Sequence, residues 1–230
     1  MQKGLAQILE TTMEIRSRAS QRSPFQILPK NAAVIFLGWV AVSLTFLTGA
    51  WGGGTPTGAV KETVDQVLVV LRDQALKDPA RVSERRAKLE KIIGQRFDYA
   101  EMAKRTLASH WKGLGAEKQQ EFVGLFQQFL ANSYSGNVDG YSGEQVEYLK
   151  ERERGEFAEV QTKVVSAKVQ IPLDYRLLRK DGEWRVYDVV IDGVSLMKNY
   201  RGQFSRIIDS SSFEALLEKL RSKADLGTSS

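Results

Sequence analysis

The spacing of apolar residues changes twice along this chain, and this limits the folds it can adopt. From residue 60 to 134 apolar residues recur every three or four positions, the repeat of an amphipathic helix. Between residues 145 and 191 they alternate with polar residues, the repeat of a strand. The helical repeat returns from residue 196. The pattern predicts an α+β domain in which helices precede and follow one sheet.

Six helices are predicted, four before the sheet and two after it. The first ends before Pro79, because proline lacks the amide hydrogen that a helix interior needs. The Asp-x-x-Glu pattern at Asp98 and the Ser-x-x-Glu pattern at Ser211 are typical helix starts. The predicted helices cover residues 60–78, 82–95, 98–111, 116–134, 196–208 and 211–220.

Four strands are predicted between these helices. The Lys180–Glu183 turn, with glycine at its third position, indicates a hairpin, so neighbouring strands run antiparallel. We therefore expect a four-stranded antiparallel sheet covered on one face by about six helices. Aromatic side chains on nearly every element fit either a filled core or an apolar cavity between sheet and helices. The predicted strands cover residues 145–150, 156–166, 168–179 and 184–191.

A stretch of thirty residues without charge, Asn31–Val60, precedes the first predicted helix. Within it, residues 32–50 hold fourteen apolar residues out of nineteen. A basic leader followed by an apolar run and small residues is typical of a secretory signal, with cleavage near Ala50. The run is also long enough for an uncleaved membrane anchor. Either alternative predicts that the rest of the chain lies outside the cytoplasm.

The predicted layout places the positive charge mainly in the leader. Of the net charge of +5, the first fifty residues carry +3 and the other 180 carry +2. A near-neutral domain with interleaved signs is typical of a solvated surface, so we expect no nucleic-acid partner. The segments are a signal peptide or membrane anchor at 1–50, a glycine-rich spacer at 51–58, the α+β domain at 59–224 and a frayed tail at 225–230.

Composition removes several kinds of chemistry. With no cysteine, disulfides, thiolate metal sites and a lipidated N-terminal cysteine are excluded. With one histidine, His110, a multi-histidine metal site is excluded as well. Asp188 and Asp192 are about 13 Å apart along an extended strand, too far for a carboxylate dyad. Asp188 alone stays open as a general base in a sheet-lined cavity or as a structural hydrogen-bond acceptor.

Three stretches carry a resemblance: FDYAEMAKRTLASHW at 97–111, EKQQEFVGLFQQFLANSY at 117–134 and DYRLLRKDGEWRVYDVVIDGVSLMKNYRGQF at 174–204. Together they resemble the MlaC family, also called the toluene-tolerance auxiliary family, over roughly Val60 to Leu220. Its members are periplasmic phospholipid-binding proteins of Gram-negative bacteria. The last stretch is the most specific part of the resemblance.

The resemblance implies a lipid carrier that catalyses no reaction and needs no cofactor, with phospholipid as its cargo. The implied partners are an outer-membrane lipoprotein complex and an inner-membrane ABC transporter with an MCE-domain subunit, which together maintain outer-membrane lipid asymmetry. Acyl tails would lie in the cavity between sheet and helices. The apolar residues of the matching stretches are the expected lining: Phe97, Met102, Leu107, Trp111, Phe126, Phe129, Leu130, Tyr134, Val169, Ile171, Tyr175, Val186, Val189, Leu196, Tyr200 and Phe204.

Two other functions stay open on the sequence. One is a small enzyme on a cone-shaped α+β fold, with Asp188 or Asp192 as its base. The other is a membrane-tethered adaptor with a solid core, whose apolar leader is never cleaved. An apolar cavity would distinguish the carrier from the adaptor, and the surroundings of the two aspartates would test the enzyme.

Overall fold

Helices, an antiparallel sheet and two further helices follow one another along the chain, in the predicted order. The computed structural model describes residues 54–139, 141, 143–166 and 170–228, with side chains for all except 134–139 and 224–228. The predicted leader and the first three spacer residues lie outside this range. None of the described helices combines the length and hydropathy needed to cross a membrane.

Six α-helices lie in the described part of the chain, together with three short 3₁₀ helices at Gln74–Lys77, Pro79–Arg81 and Ala108–Gly113. The helices range in length from 9 to 24 residues. They are α1 (Pro56–Arg72), α2 (Val82–Arg96), α3 (Tyr99–Leu107), α4 (Ala116–Asp139), α5 (Leu196–Ser210) and α6 (Phe213–Thr228).

The ends of the helices differ from the prediction for local reasons. Thr55 caps α1 and proline occupies its first turn, so the helix begins at Pro56, inside the predicted spacer. It ends at Arg72, earlier than predicted, because Asp73 caps a following 3₁₀ turn. At the other end of the chain α6 continues to Thr228, so most of the predicted frayed tail is helical.

The sheet has five strands, one more than predicted, and every neighbouring pair is antiparallel. The extra strand is only two residues long and pairs with the end of β4 after a turn at Asp192 and Gly193, both at positive φ. A strand this short has no alternation for a sequence pattern to reveal. In sheet order the strands are β1 (Gln145–Arg154), β2 (Phe157–Val165), β3 (Gln170–Lys180), β4 (Glu183–Ile191) and β5 (Val194–Ser195).

The buried residues form three clusters, of which the two larger ones contact β4 and the smallest, Val70, Leu71, Leu76 and Leu89, packs α1 on α2. In the first, the sheet core, α1 lies across β1 and β2. Its buried members are Ala59, Val60, Ala158, Val160, Leu177, Trp184, Val186 and Val189. In the second, the helical core, α3 to α6 pack on one another beside β4. Its buried members are Met102, Ala103, Leu107, Phe122, Phe126, Leu130, Met197, Tyr200, Phe204, Phe213, Leu216, Leu217 and Leu220.

Asp98 links the two clusters and confirms the predicted start of α3. Its carboxylate accepts a hydrogen bond from the Glu101 amide at 3.0 Å and pairs with the Lys180 ammonium at 2.8 Å. Its own amide donates to the Val186 carbonyl at 2.9 Å. Burial alone would raise the pKa of Asp98, but the bonds from Lys180 and the Glu101 amide outweigh it and hold that pKa below its ordinary value.

Replacing Asp98 with asparagine should make the protein less stable at neutral pH and less sensitive to acid. A carboxylate whose pKa is lowered by folding stabilises the fold above its unfolded pKa of about 4, and this contribution is lost as pH falls further. Asparagine still caps the helix, so D98N isolates the charge and should lower the free energy of unfolding by about 1 kcal/mol at pH 7.

Urea unfolding of the wild type and D98N at pH 7, 5, 4 and 3 checks this expectation. The difference in unfolding free energy between the two proteins should shrink below about pH 4, because there the unfolded chain binds a proton at Asp98 while the folded chain, with its lower Asp98 pKa, still holds the carboxylate ionised. A difference that stays constant from pH 7 to pH 3 would contradict the role given to the Asp98 charge.

Candidate functional site

An apolar cavity of about 270 Å³ lies between α1 and the sheet. Helices α1 and α2 form its roof, strands β1 to β4 form its floor, and residues just before β1 close one side. Most of the side chains that face it are aliphatic or aromatic. The lining residues are Val60, Thr63, Val64, Val67, Leu68, Leu71, Ile93, Arg96, Phe97, Tyr141, Glu144, Val146, Val164, Tyr175 and Val186.

The roof follows from the apolar stripe of α1. Val60, Val64, Val67, Leu68 and Leu71 recur at helical spacing, so they share one face of the helix. With a rise of 1.5 Å per residue, this stripe extends about 16 Å along the sheet. The opposite face of α1 is polar, except for Val69, which is 70% exposed. One side of the helix therefore contributes an unbroken apolar surface to the cavity.

The floor takes one residue from each of four strands: Val146, Val164, Tyr175 and Val186. Alternate residues of a strand point to the same face, so the period-2 pattern places these side chains toward α1. Burial raises the pKa of Tyr175, with a further contribution from Tyr148 beside it. The Tyr175 phenol therefore stays neutral at physiological pH, and the middle of the floor carries no charge.

Arg96 closes the cavity at the Val60 end. Its guanidinium donates to the Thr63 hydroxyl, the Trp184 carbonyl and the Glu62 carboxylate, each at 3.0 Å. Only 16% of the Arg96 side chain is exposed. With donors on all three nitrogens engaged, this residue joins α2 to α1 and β4 and acts as an end wall.

The sequence of this chain was compared with protein-family models and with known proteins. Residues 61–222 match the family model described as MlaC protein. The chain belongs to the MlaC family. A curated member from Haemophilus influenzae (strain ATCC 51907 / DSM 11121 / KW20 / Rd), the intermembrane phospholipid transport system binding protein MlaC, is 25% identical over 126 residues, which cover 52% of this chain. The matched region spans 59% of that relative's length.

A solved MlaC-like fold gives a second comparison. The phospholipid-binding protein from Ralstonia solanacearum, determined in complex with a phospholipid, superposes with a TM-score of 0.70 and is 22% identical. The match covers 76% of this chain and 99% of that chain. At this level of identity the likeness establishes the shared fold, with helices packed on an antiparallel sheet.

The residues expected from the MlaC resemblance to line the cavity are divided among the cavity lining, the sheet core and the helical core. Phe97, Tyr175 and Val186 do line the cavity. Val189 and Leu196 pack in or against the sheet core, but they do not line the cavity. The MlaC-like stretches therefore contribute to the floor and to the end near Arg96, and they contribute nothing from α1.

Most of the remaining expected residues lie in the helical core. Ile171 is half-buried on β3 and is not in the lining. Val169 and the side chain of Tyr134 lie outside the described residues. Eight others pack in or against the helical core: Met102, Leu107, Trp111, Phe126, Phe129, Leu130, Tyr200 and Phe204.

The lining residues that sequence reasoning missed are chiefly those of α1. The helical spacing from Val60 to Leu71 is plain in the sequence, but this segment precedes the stretches that carry the MlaC resemblance. Tyr141 was missed because it follows a glycine-rich segment with no apolar repeat. The apolar stripe of α1, which packs against Leu89 and Ile92 of α2 only toward its Leu71 end, is the feature that could have located the cavity.

The two aspartates considered as bases lie outside the cavity lining. Asp188 is 3% exposed, and its carboxylate accepts from Arg176 at 3.0 Å, the Ser195 hydroxyl at 2.6 Å and the Met197 amide at 3.1 Å. It therefore fixes the start of α5, which is the structural alternative raised by the sequence. Asp192 is exposed in the turn before β5. Among the described residues, no His, Asp and Glu group is arranged to hold a metal ion.

Proposed function

We propose that this protein binds a phospholipid by enclosing its acyl tails between α1 and the sheet, and that it carries the lipid across the periplasm. The observation that supports this most is the apolar cavity itself, because it lies in a chain that belongs to the MlaC family. A relative from that family is named as a phospholipid transport binding protein, and a protein of the same fold was determined with a phospholipid bound.

Burial of the acyl tails supplies the binding energy in this proposal. Each methylene moved from water to an apolar site gains about 0.8 kcal/mol. A bilayer offers the same gain, so exchange between protein and membrane is close to neutral in free energy. The cavity of about 270 Å³ is below the usual 300–1,000 Å³ of sites for small molecules. We therefore propose that α1 moves away from the sheet when two tails enter.

Transport between membranes requires a location and partners. We propose that residues 1–50 direct export, as a signal peptide or an anchor, and that residues 59–224 act as the lipid-binding domain. The proposed partners are an outer-membrane lipoprotein complex and an inner-membrane ABC transporter with an MCE-domain subunit. Residues 51–230, which carry +2 of the total charge, are close to neutral and are therefore suited to leaving anionic membrane surfaces.

The cavity favours this function over an adaptor with a solid core. It also favours it over a small enzyme, because the buried Asp188 is held by three partners away from the cavity lining. No reaction is part of the proposal, since binding and release of an unchanged lipid need only apolar burial.

Native mass spectrometry tests the proposed function. The protein is purified without detergent from Gram-negative cells that express the full chain, and bound lipid is identified by solvent extraction. We expect phospholipid to copurify with the folded protein, and delipidated protein to take up phospholipid from vesicles. Protein that contains no phospholipid and takes up none from vesicles would rule out the carrier.

A further inference from the structure

A second pocket of about 300 Å³ adjoins the apolar cavity at the end opposite Arg96. It is lined by Arg72, Gln74, Lys77, Tyr141 and Gly143. Tyr141 lines both spaces, and Arg72 directly follows the last lining residue of the α1 stripe. The apolar roof of the cavity thus ends at the second pocket, which is lined by two cationic side chains, Arg72 and Lys77.

The two cations in this pocket have no carboxylate partner among the described residues. The Arg72 Nε donates to the Tyr141 hydroxyl at 3.2 Å, and its other guanidinium donors meet no acceptor among the described residues. The nearby acids Asp73 and Asp78 each accept from a backbone amide at 2.9 Å, as caps of the two 3₁₀ turns. The carboxylates of Asp73 and Asp78 are therefore engaged as caps, and neither forms an ion pair with Arg72 or Lys77.

The opposite end of the cavity has a different electrostatic character. Arg96 is largely buried there, and its guanidinium is fully engaged by Glu62, Thr63 and a carbonyl. Of the two ends, as far as the described residues show them, the Arg72 end combines an apolar wall with cations that lack a carboxylate partner, so it favours the head of an anionic amphiphile. Its tails would point toward Arg96 and its head would lie beside Arg72.

We propose that Arg72, Lys77 and Gln74 bind the phosphate group of the lipid whose tails fill the cavity, with Tyr141 positioning Arg72. This inference rests on the proposed function and names the headgroup site for it. A guanidinium offers paired donors that match phosphate oxygens, and a lysine adds a point charge. The Gln74 amide can supply a further hydrogen bond. The Tyr141 hydroxyl accepts from Arg72 and donates to the Glu144 carbonyl at 3.5 Å, so it holds the Arg72 side chain at the pocket. The ligand class is a glycerophospholipid, recognised through its phosphate.

A purely structural role for Arg72 must be separated from this one. An arginine in the last turn of a helix also complements the helix dipole, and its loss then lowers stability without changing lipid preference. The test therefore compares two lipids with identical acyl chains, phosphatidylglycerol and diacylglycerol. Only the first carries a phosphate, so a phosphate site affects the uptake of that lipid alone.

The test uses R72Q/K77Q and a matched control, K198Q/R206Q. Both variants remove two positive charges, but Lys198 and Arg206 are exposed on α5 and line neither pocket. Delipidated protein from the full chain is incubated with phosphatidylcholine vesicles that contain one of the two lipids with a fluorescent acyl chain. R72Q/K77Q should take up about fivefold less phosphatidylglycerol than wild type, with diacylglycerol unchanged. The control should match wild type for both.

Each other outcome overturns a specific statement. Equal phosphatidylglycerol uptake by wild type and R72Q/K77Q would remove the phosphate site and leave the carrier intact. An equal loss for both lipids would assign Arg72 and Lys77 a structural role instead. Calorimetric binding of inorganic phosphate that persists in lipid-loaded protein would show that the pocket takes free phosphate and not the headgroup. Wild type that takes up neither lipid would overturn the proposed function, and the site with it.

Discussion

Replacing Val67 with tryptophan should lower the phospholipid content of the purified protein by more than tenfold. Val67 lies in the middle of the α1 stripe and faces a cavity of about 270 Å³. An indole in this space excludes acyl-chain atoms that would otherwise be buried. Exclusion of only three methylenes removes about 2.4 kcal/mol of burial, which is more than a tenfold loss of affinity. Quantitative lipid extraction per mole of folded protein measures the effect.

Val69 provides the matched control on the same helix. It lies two positions away and is 70% exposed, so tryptophan there adds the same bulk to the solvent side. V69W should therefore keep the lipid content of wild type, and circular dichroism should show the same helix content in both variants. Equal lipid content in V67W and V69W would mean that the space under α1 is not where the acyl tails bind.

The order of helices and strands could be predicted because it depends on local periodicity. The start of α3 directly after its cap, Asp98, followed from the local four-residue pattern Asp98 to Glu101. The fifth strand did not, because it consists of two residues held by pairing with β4. The start of α1 at Pro56 was also missed, because a glycine-rich composition outweighed the cap at Thr55.

The location of the cavity depends on tertiary packing, which periodicity does not report. Phe126 and Val67 both lie on apolar helical stripes, yet one is fully buried and the other faces empty space. An apolar stripe in the sequence shows which face of a helix is buried. It does not show whether the neighbouring element packs directly against that face or leaves a cavity. The stretches that resemble the MlaC family contain many residues of the helical core. The cavity lining expected from them therefore included residues that are packed in that core.

Replacing Phe126 with alanine should lower the free energy of unfolding by about 4 kcal/mol, the largest stability loss expected for a single substitution here. Phe126 is 0% exposed, and its ring lies 5.7 Å from that of Phe122, 5.8 Å from Phe204 and 5.9 Å from Tyr200. Four rings packed this closely cannot collapse into the space left by a lost side chain. Urea unfolding, with the dependence on denaturant concentration unchanged, measures the loss.

Val164 on the floor of the cavity provides the contrast. Because one side of it already faces open space, V164A removes few packing contacts and should lower the unfolding free energy by only about 1 kcal/mol. F126A, measured where it is still folded, should keep the phospholipid content of wild type, because the helical core fills its own interior. A loss of lipid in F126A comparable to that in V67W, together with a small stability change, would instead place the acyl tails among the rings of the helical core.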